Sequence, residues 1–467
     1  MGEGEEITRR ASEAERRESS PVSFVVEGGI PLEGTVYLQG AKNAALQAIA
    51  ASILTDDRII LENFPRIGDT DINLSILIKL GAEVEQRPQG ITSITTGDIS
   101  TSKTIDPNDS LRTTGSRYFI PTLVRRVGSV TAGPPGGDQI GAPNRFLFRR
   151  EDLEMFERVG IGNRQIVDSQ GRPSHEFFPL TEDKPRILRL ERRYFGPTVQ
   201  ALLSYAGTDE EFTVVNPSLE PEVKDTIALL NSMGADIEYQ RPDSLHIKGS
   251  RYLHGTRHRI ISDPNAMVSY AAMALITNGE VIIKGIDHTS KTDAFMRLLM
   301  AMNADFYFGG GILQVNPDGR LQPVDLKTDF WPAQCHTDWQ QILTPVLATT
   351  NGTSYVDENV YPSRFTGVER LRNMGANLTL ISDPTRISRE EYKTDRKSHT
   401  LRINGPVDFH SAPVIIAPPD IRGATGILLA LLAAKGRSRL NNAQQVLRGI
   451  EDVDVVIKSL GGRIHRA

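Results

Sequence analysis

The sequence predicts an α/β fold built from six copies of one βαβαββ-type unit, three in each of two domains. Two recurring patterns and the length of the chain lead to this prediction. At 467 residues the chain exceeds what one hydrophobic core usually holds. Six segments end a helical pattern in the same way, and a second helix followed by a strand recurs between them. Because one unit cannot bury both faces of its own sheet, the units must pack together.

The six helix ends share a hydrophobic residue, then Gly or a small residue, then a short strand. Gly suits the residue after a helix, which usually adopts a left-handed conformation that penalises a Cβ. The ends recur about every 70–85 residues. They read LGAEVE at 80–85, VGIGN at 159–163, MGADIE at 233–238, MNADFY at 302–307, MGANLT at 374–379 and LGGRI at 460–464.

The second recurring element is a helix of about 14 residues followed by a strand. Its copies span 41–64, 111–133, 195–217, 263–286, 337–358 and 420–442. Together the two elements give each unit two helices and three or four strands.

Composition indicates a soluble globular protein, with 39% hydrophobic residues, 24% charged residues and a net charge of -5. No tract suggests nucleic acid as a partner, and the apolar runs are too short to cross a bilayer. Residues 1–21 carry dense mixed charge and lack the apolar stretch of a secretory signal, so we expect a disordered, cytoplasmic tail.

The single cysteine, Cys335, excludes an intramolecular disulfide and any multi-cysteine metal site. The histidines are scattered without ligand spacing, so we expect no metal. We interpret Cys335 as a packing residue.

Basic residues occur at or near the first turn of three partner helices: Lys42 with Asn43, Arg112, and Arg422. A cation there opposes the helix dipole and is usually a solvated side chain. If the repeat brings these helix starts together, N–H groups and cations would form a site for phosphate or carboxylate. Arg364, at the start of the helix predicted in 361–376, and Arg448, in the segment 446–462, fit the same hypothesis.

Two aspartates are candidates for proton transfer. Asp338 lies at the start of the fifth partner helix, where it either caps the helix or acts as a general base. Asp138 lies in the Gly-rich segment PPGGDQIGAPNR at 134–145, which is either a plain surface turn or a loop that closes over a ligand.

Six motifs resemble those of the enolpyruvyl transferases, in particular the UDP-N-acetylglucosamine 1-carboxyvinyltransferase branch. The branch that acts on shikimate 3-phosphate is less similar, because it has a serine-containing turn where this chain has AKNA. The motifs are QGAKNAAL at 39–46, PGGDQIGA at 135–142, HTDWQ at 336–340, SRF at 363–365, DIRGA at 420–424 and LRGIED at 447–452.

The resemblance implies two inside-out α/β barrel domains of three units each. We therefore expect one domain from 22–41 plus 262–467 and the other from 42–261. It also implies a role in peptidoglycan biosynthesis, with small-molecule substrates and without a cofactor, nucleic acid, membrane or obligate protein partner.

The resemblance assigns roles to matching residues. It assigns phosphoenolpyruvate binding to one basic set, namely Lys42, Arg112, Arg364, Arg422 and Arg448. Lys42 is also placed among the catalytic residues.

Asp338 matches the family's catalytic aspartate, which deprotonates the acceptor hydroxyl and also contacts the acceptor. Asp138 matches a loop position, often cysteine, that is associated with protonating the methylene carbon. Asn43 and Gly196 fall at positions that bind the acceptor. With aspartate in the loop, we expect the epoxide fosfomycin not to alkylate the protein.

The segment after the loop departs from the family. Pro143 stands where an arginine is expected, and Arg145 is our candidate to replace it. The stretch up to Gly196 is several residues longer, so we expect a rebuilt acceptor site. The acceptor is thus either UDP-N-acetylglucosamine or a compact nucleotide such as UMP, as in nucleoside-antibiotic pathways. A non-catalytic paralogue that binds a nucleotide sugar is the alternative from another class.

Overall fold

The computed structural model describes residues 22–97, 99, 103–138, 148–168, 171–181, 186–317, 320–361, 364–383, 385–386 and 399–467. The predicted tail at 1–21 and the candidate Arg145 lie outside these residues. The chain forms two compact units. The inserted unit is Gly40–Ile261, and the split unit joins the chain up to Gln39 with Ser262–Ala467. The first boundary between the two units, after Gln39, therefore lies two residues before the predicted boundary after residue 41.

The inserted unit has three central helices, α1, α4 and α6, that pack against one another. Almost all of their residues from the second turn onward are buried. Its described helices are α1 (Lys42–Ala51), α2 (Gly68–Lys79), α3 (Pro107–Ser110), α4 (Ser116–Val127), α5 (Arg150–Arg158), α6 (Phe195–Tyr205) and α7 (Pro221–Ser232).

Three four-stranded sheets surround these helices in the described part of the inserted unit. One has the order β14 (Arg257–Arg259), β3 (Ile59–Glu62), β5 (Ile91–Thr95), β4 (Glu83–Arg87). The next is β6 (Thr104–Ile105), β7 (Val130–Ala132), β9 (Pro173–Pro179), β8 (Ile161–Val167). The third is β10 (Ile187–Arg189), β11 (Glu211–Val215), β13 (Ser244–Lys248), β12 (Asp236–Arg241).

The split unit repeats this design, with α8, α10 and α12 packed together at its centre. In α12, every residue from Ile421 to Leu432 is buried. Its described helices are α8 (Pro264–Thr277), α9 (Ser290–Ala301), α10 (Thr337–Ala348), α11 (Val368–Asn373), α12 (Ile421–Ala433), α13 (Gln444–Leu447) and α14 (Val453–Ser459).

Its described sheets follow the same order. One has the order β2 (Gly34–Tyr37), β15 (Val281–Lys284), β17 (Ile312–Val315), β16 (Phe306–Gly309). The next is β18 (Leu326–Lys327), β19 (Gly352–Asp357), β21 (Thr400–Gly405), β20 (Asn377–Ile381). The third is β22 (Ile415–Ile416), β23 (Gly436–Asn441), β1 (Phe24–Gly28), β24 (Arg463–Arg466).

In every sheet one edge strand pairs in parallel and the other pairs are antiparallel. Each central helix follows a parallel edge strand in the chain, and the second helix leads into the antiparallel pair. For α4, α6, α10 and α12 that edge strand belongs to the sheet of the same repeat, whereas β2 before α1 and β14 before α8 each complete a sheet of the other unit. With helices inside and sheets outside, the predicted inside-out α/β fold of six βαβαββ units is confirmed.

The six predicted helix ends are also confirmed. In each, the second residue beyond the last helical residue has a positive φ, which is where a Cβ is penalised. They are Gly81 (104°), Gly160 (79°), Gly234 (111°), Asn303 (55°), Gly375 (100°) and Gly461 (84°).

Three strands explain why one unit is split around the other. β2 pairs with β15 and β1 lies between β23 and β24, so the N-terminal strands complete sheets of the split unit. β14 pairs with β3 and completes the first sheet of the inserted unit. Each unit closes on itself, and each has its own hydrophobic core.

Candidate active site

Asp338 is the second residue of α10, in the split unit. The helix begins at Thr337 because the side chain of His336 caps it, its Nδ1 accepting from Asp338 N at 3.2 Å. Trp339, fully buried, anchors this first turn and donates through Nε1 to Asn265 Oδ1 at 3.0 Å. His336 therefore does the capping, and the Asp338 carboxylate is left to face other side chains.

Three side chains donate hydrogen bonds to that carboxylate. Arg364 Nη1 donates to Oδ1 at 2.7 Å, while Arg422 Nε and Asn265 Nδ2 each donate to Oδ2 at 3.2 Å. Both arginine side chains are only 2% exposed. Charge-assisted bonds in such a buried setting fix the carboxylate in one orientation.

Arg364 is held from a second side by Asp420. Its Nε donates to Asp420 Oδ2 at 3.1 Å, and its carbonyl accepts from Gln340 Nε2 at 2.6 Å. Asp420 in turn caps α12 by accepting from the backbone N–H groups of Arg422 and Gly423. The start of α12 thus positions both arginines around Asp338.

Two opposing effects act on the pKa of Asp338. Burial raises it, because a charged carboxylate loses its hydration. Arg364 and Arg422 outweigh burial and hold the pKa of Asp338 well below its ordinary value. The carboxylate is therefore ionised at neutral pH.

Lys42 and Asn43 begin α1 in the inserted unit. The ammonium Nζ of Lys42 lies 3.0 Å from Asp69 Oδ2, in the first turn of α2, and Asp69 is fully buried. This pair fixes the lysine at the helix start, next to the half-buried Asn43.

Arg112 lies near the start of its partner helix, as the sequence predicted, but outside its first turn. It lies in a turn after α3, and α4 begins four residues later at Ser116. The turn is imposed by tertiary contacts: Asn73 Nδ2 donates to Thr113 Oγ1 at 2.8 Å, and a Cβ on Gly115 would lie 2.5 Å from Asn73 Oδ1. Arg112 pairs instead with Asp109 at 3.5 Å.

The Gly-rich segment begins tightly packed against this turn. Gly136 N donates to Ser110 O at 2.8 Å, and a Cβ on Gly136 would lie 1.7 Å from Leu111 O. Only glycine fits there, so the start of the segment is not a plain surface turn. Asp138, the last residue of the segment before the undescribed stretch, is partly buried. Residues 139–147, with Pro143 and Arg145, lie outside the described residues.

Arg448 ends α13 in the split unit, and its Nη1 donates to Gln445 Oε1 at 2.8 Å. The next residue, Gly449, packs on the cluster around Asp338, because a Cβ there would lie 3.2 Å from Arg422 Nη1. Arg448 is therefore adjacent in the chain to a residue that packs against Arg422.

Comparison with known proteins identifies the family. A family model for EPSP synthase (3-phosphoshikimate 1-carboxyvinyltransferase) matches residues 26–142 and 197–460. The chain belongs to this enolpyruvyl transferase family. The unmatched residues 143–196 of the transferase are those for which the sequence indicated a rebuilt segment.

Two relatives of the transferase carry a narrower name. The chain is 31% identical to UDP-N-acetylglucosamine 1-carboxyvinyltransferase of Acidobacterium capsulatum, over 95% of each protein. It is 28% identical to UDP-N-acetylglucosamine 1-carboxyvinyltransferase 1 of Streptococcus agalactiae, over 95% of this chain and 98% of the relative. These names, with the family, identify an enolpyruvyl (carboxyvinyl) transferase.

Solved structures support the fold. The enolpyruvyl transferase NikO from Streptomyces tendae superposes with a TM-score of 0.81 at 24% identity, covering 96% of this chain and 99% of NikO. EPSP synthase from Acinetobacter baumannii gives 0.68 at 15% identity, covering 96% and 100%.

The second residue of each central helix reveals candidates in the transferase that we did not predict. The set is Asn43 of α1, Arg117 of α4, Gly196 of α6, Asn265 of α8, Asp338 of α10 and Arg422 of α12. Four were predicted, whereas Asn265 and Arg117 were missed. Aligning the six helix starts by the repeat would have found both. The Arg117 side chain lies close to Gly196: a Cβ built on Gly196 would be 3.8 Å from Arg117 Nη1.

Glu358 is another buried group of the transferase that the sequence did not single out. It is fully buried directly after β19 and bonds to Thr337, the neighbour of Asp338. Burial raises its pKa, against opposing contributions from the Tyr361 N–H, Arg364, the Val360 N–H and Thr337.

Three further expectations for the transferase concern a metal site, a membrane span and the thiol of Cys335. Among the described residues, no group of three or more His, Cys, Asp or Glu side chains is arranged to hold a metal ion. The described helices are all too short or too polar to cross a bilayer. Cys335 packs against the core of the split unit, and burial raises the pKa of its thiol, so it is protonated at neutral pH.

Proposed function

We propose that the transferase moves the enolpyruvyl group of phosphoenolpyruvate to the 3-hydroxyl of UDP-N-acetylglucosamine and releases phosphate. The observation that carries this proposal is the Asp338 carboxylate at the start of α10, ionised and oriented between Arg364 and Arg422. Such a carboxylate can accept a proton from an acceptor hydroxyl. The names of the two relatives support this acceptor.

The charges of the cluster determine how an anionic donor would bind there. Two carboxylates, Asp338 and Asp420, face two guanidinium groups, Arg364 and Arg422, so the group is neutral by formal charge. A phosphate or carboxylate that binds the arginines must compete with Asp338. Donor binding then weakens the bonds that hold the pKa of Asp338 down, and the carboxylate becomes a better base.

One basic set would bind the donor. In our proposal, Lys42, Arg112, Arg364, Arg422 and Arg448 contact the phosphate and carboxylate of phosphoenolpyruvate. Their charge-assisted hydrogen bonds would each contribute about 1.5–3 kcal/mol.

The proposed reaction proceeds by addition and elimination. Asp338 accepts the hydroxyl proton as the acceptor oxygen bonds to C2 of phosphoenolpyruvate, and Asp138 donates a proton to C3. Asp138 then takes a proton back from C3 of the tetrahedral adduct while the bond from C2 to the phosphate oxygen breaks, and the proton on Asp338 passes to the leaving phosphate. The products are the enolpyruvyl ether and inorganic phosphate, and both aspartates return to their starting states.

Asn43, Gly196, Arg145 and Asp338 are the proposed contacts of the acceptor. The family model leaves 143–196 unmatched, which favours a second candidate acceptor, a compact uridine nucleotide such as UMP. Both acceptors and the donor are cytoplasmic metabolites, so we propose a cytoplasmic reaction.

One assay separates these candidates. The protein is incubated with phosphoenolpyruvate and either UDP-N-acetylglucosamine, UMP or shikimate 3-phosphate, and phosphate release is measured. We expect release with UDP-N-acetylglucosamine, confirmed by the mass of the enolpyruvyl product. Release with UMP alone would replace the acceptor and keep the donor chemistry. Absence of release with every acceptor, but binding of a nucleotide sugar, would instead support a non-catalytic protein.

A further inference from the structure

Glu358 accepts four hydrogen bonds in a fully buried position. Val360 N and Tyr361 N donate to Oε1 at 2.9 and 2.8 Å. The hydroxyl of Thr328 donates to Oε1 at 2.9 Å, and that of Thr337 to Oε2 at 2.9 Å. One oxygen thus serves the loop at 358–361, and the other serves the first residue of α10.

The direction of both hydroxyl bonds follows from their other partners. Thr337 Oγ1 lies 3.3 Å from Arg364 Nη1, which can only donate, so the hydroxyl hydrogen of Thr337 points to Glu358. Thr328 Oγ1 accepts from Asn359 N at 2.8 Å, so its hydrogen also points to Glu358. In this arrangement all four partners donate, which suits an ionised carboxylate.

We propose that Glu358 is a positioning residue that orients the Arg364 guanidinium through the Thr337 hydroxyl. With its hydrogen held by Glu358, Thr337 turns a lone pair to Arg364 Nη1, the nitrogen that also bonds to Asp338. Glu358 thereby fixes an arginine to which we assign donor binding. The inference rests on the proposed function.

Replacing Glu358 with glutamine tests this link with little change in shape. Glutamine has one oxygen where glutamate has two, so it can accept hydrogen bonds at only one of the two oxygen positions. Two backbone N–H groups and Thr328 point at Oε1, so the oxygen must face them and the NH₂ must face Thr337. Thr337 then accepts from the amide, so its hydrogen loses Glu358 as its acceptor and the hydroxyl is no longer held in the orientation that turns a lone pair to Arg364.

The experiment measures KM for phosphoenolpyruvate and kcat in the full-length enzyme with its acceptor. In Glu358→Gln and in Thr337→Val we expect KM to rise about tenfold with kcat within about threefold, the loss of one bond to a charged group. Thr337→Ser, which keeps the hydroxyl, should restore the wild-type KM. Thr328→Val is the matched control, because it removes a 2.9 Å bond from the other oxygen of the same carboxylate.

The Glu358→Gln and Thr337→Val effects should not add in the double variant, since both break one chain of bonds. A KM in Thr328→Val as high as in Thr337→Val would overturn the inference, because the carboxylate would then act only on the loop. If Glu358→Gln does not fold, Thr337→Val against Thr337→Ser carries the same test.

Arg364→Lys separates this inference from the proposed function. A normal KM for phosphoenolpyruvate in that variant overturns the proposed donor site and the inference with it. A raised KM in Arg364→Lys with a normal KM in both Glu358→Gln and Thr337→Val overturns the inference alone.

Discussion

Removing the charge of Arg422 should raise the pKa of Asp338. Burial raises this pKa, and the wild-type value is low only because Arg364 and Arg422 outweigh burial. Arg422 Nε lies 3.2 Å from Asp338 Oδ2 and its side chain is 2% exposed, so solvent screens the pair weakly. Loss of one such partner shifts a carboxyl pKa by roughly 1–3 units, or about 1.4–4 kcal/mol.

The sign of the effect on activity follows from the role of Asp338. A general base works only when deprotonated, so kcat/KM falls as the pH drops through its pKa. In Arg422→Gln, the acid limb of kcat/KM for the acceptor should move to higher pH by about 1–3 units relative to wild type. Phosphate release at saturating phosphoenolpyruvate measures this shift, in a pH series that starts at pH 8 and extends below the ordinary carboxyl pKa, as far as the wild-type protein stays folded. The substrates ionise identically in the wild-type and Arg422→Gln assays, so they contribute equally to both pH profiles.

Arg422→Lys is the matched control, because it keeps the positive charge and loses the guanidinium geometry. Its acid limb should stay near the wild-type position even if its KM rises. An unmoved limb in Arg422→Gln, or equal shifts in Gln and Lys variants, would refute the reasoning that the charge of Arg422 sets the pKa of the base.

Three further predictions concern other parts of the site. Asp338→Ala should lower kcat by about 10²–10⁴-fold with a native circular dichroism spectrum, and an unchanged kcat would remove Asp338 from the mechanism. Lys42→Ala should lower kcat/KM for phosphoenolpyruvate by about 10–150-fold, and its melting temperature should fall because Asp69 is left buried without the ammonium 3.0 Å away. Fosfomycin should cause no time-dependent inactivation, and intact-mass analysis should show no adduct, since the loop carries Asp138 and the thiol of Cys335 is protonated; an adduct at either residue would contradict this.

The repeated fold was predictable because its signals are local. A positive φ after each helix selects Gly or Asn, and this selection leaves a mark in the sequence at every repeat. Central helices that are buried on all sides leave continuous apolar runs, as in α12. Six such marks at similar spacing predict the number of units without knowledge of any contact between them.

Side chains whose roles depend on distant partners were harder to predict. Glu358 follows a strand without any motif, and its four donors come from three separate parts of the chain. Asn265 looks like an ordinary residue at a helix start until its contacts with Asp338 and Trp339 are known. Arg112 was assigned to a helix start because the contact that forces the preceding turn, between Gly115 and Asn73, joins separate segments.

The position of β1 has a consequence for how the chain reaches its folded state. Phe24 pairs with both Leu440 and Arg466, so β1 cannot pair with β23 and β24 until nearly the whole chain has been synthesised. All strands of the inserted unit lie between residues 59 and 259, so that unit can close while the later half is still being made. We therefore expect the inserted unit to fold first on the ribosome, and the split unit, with contacts of much longer sequence separation, to limit the rate of folding.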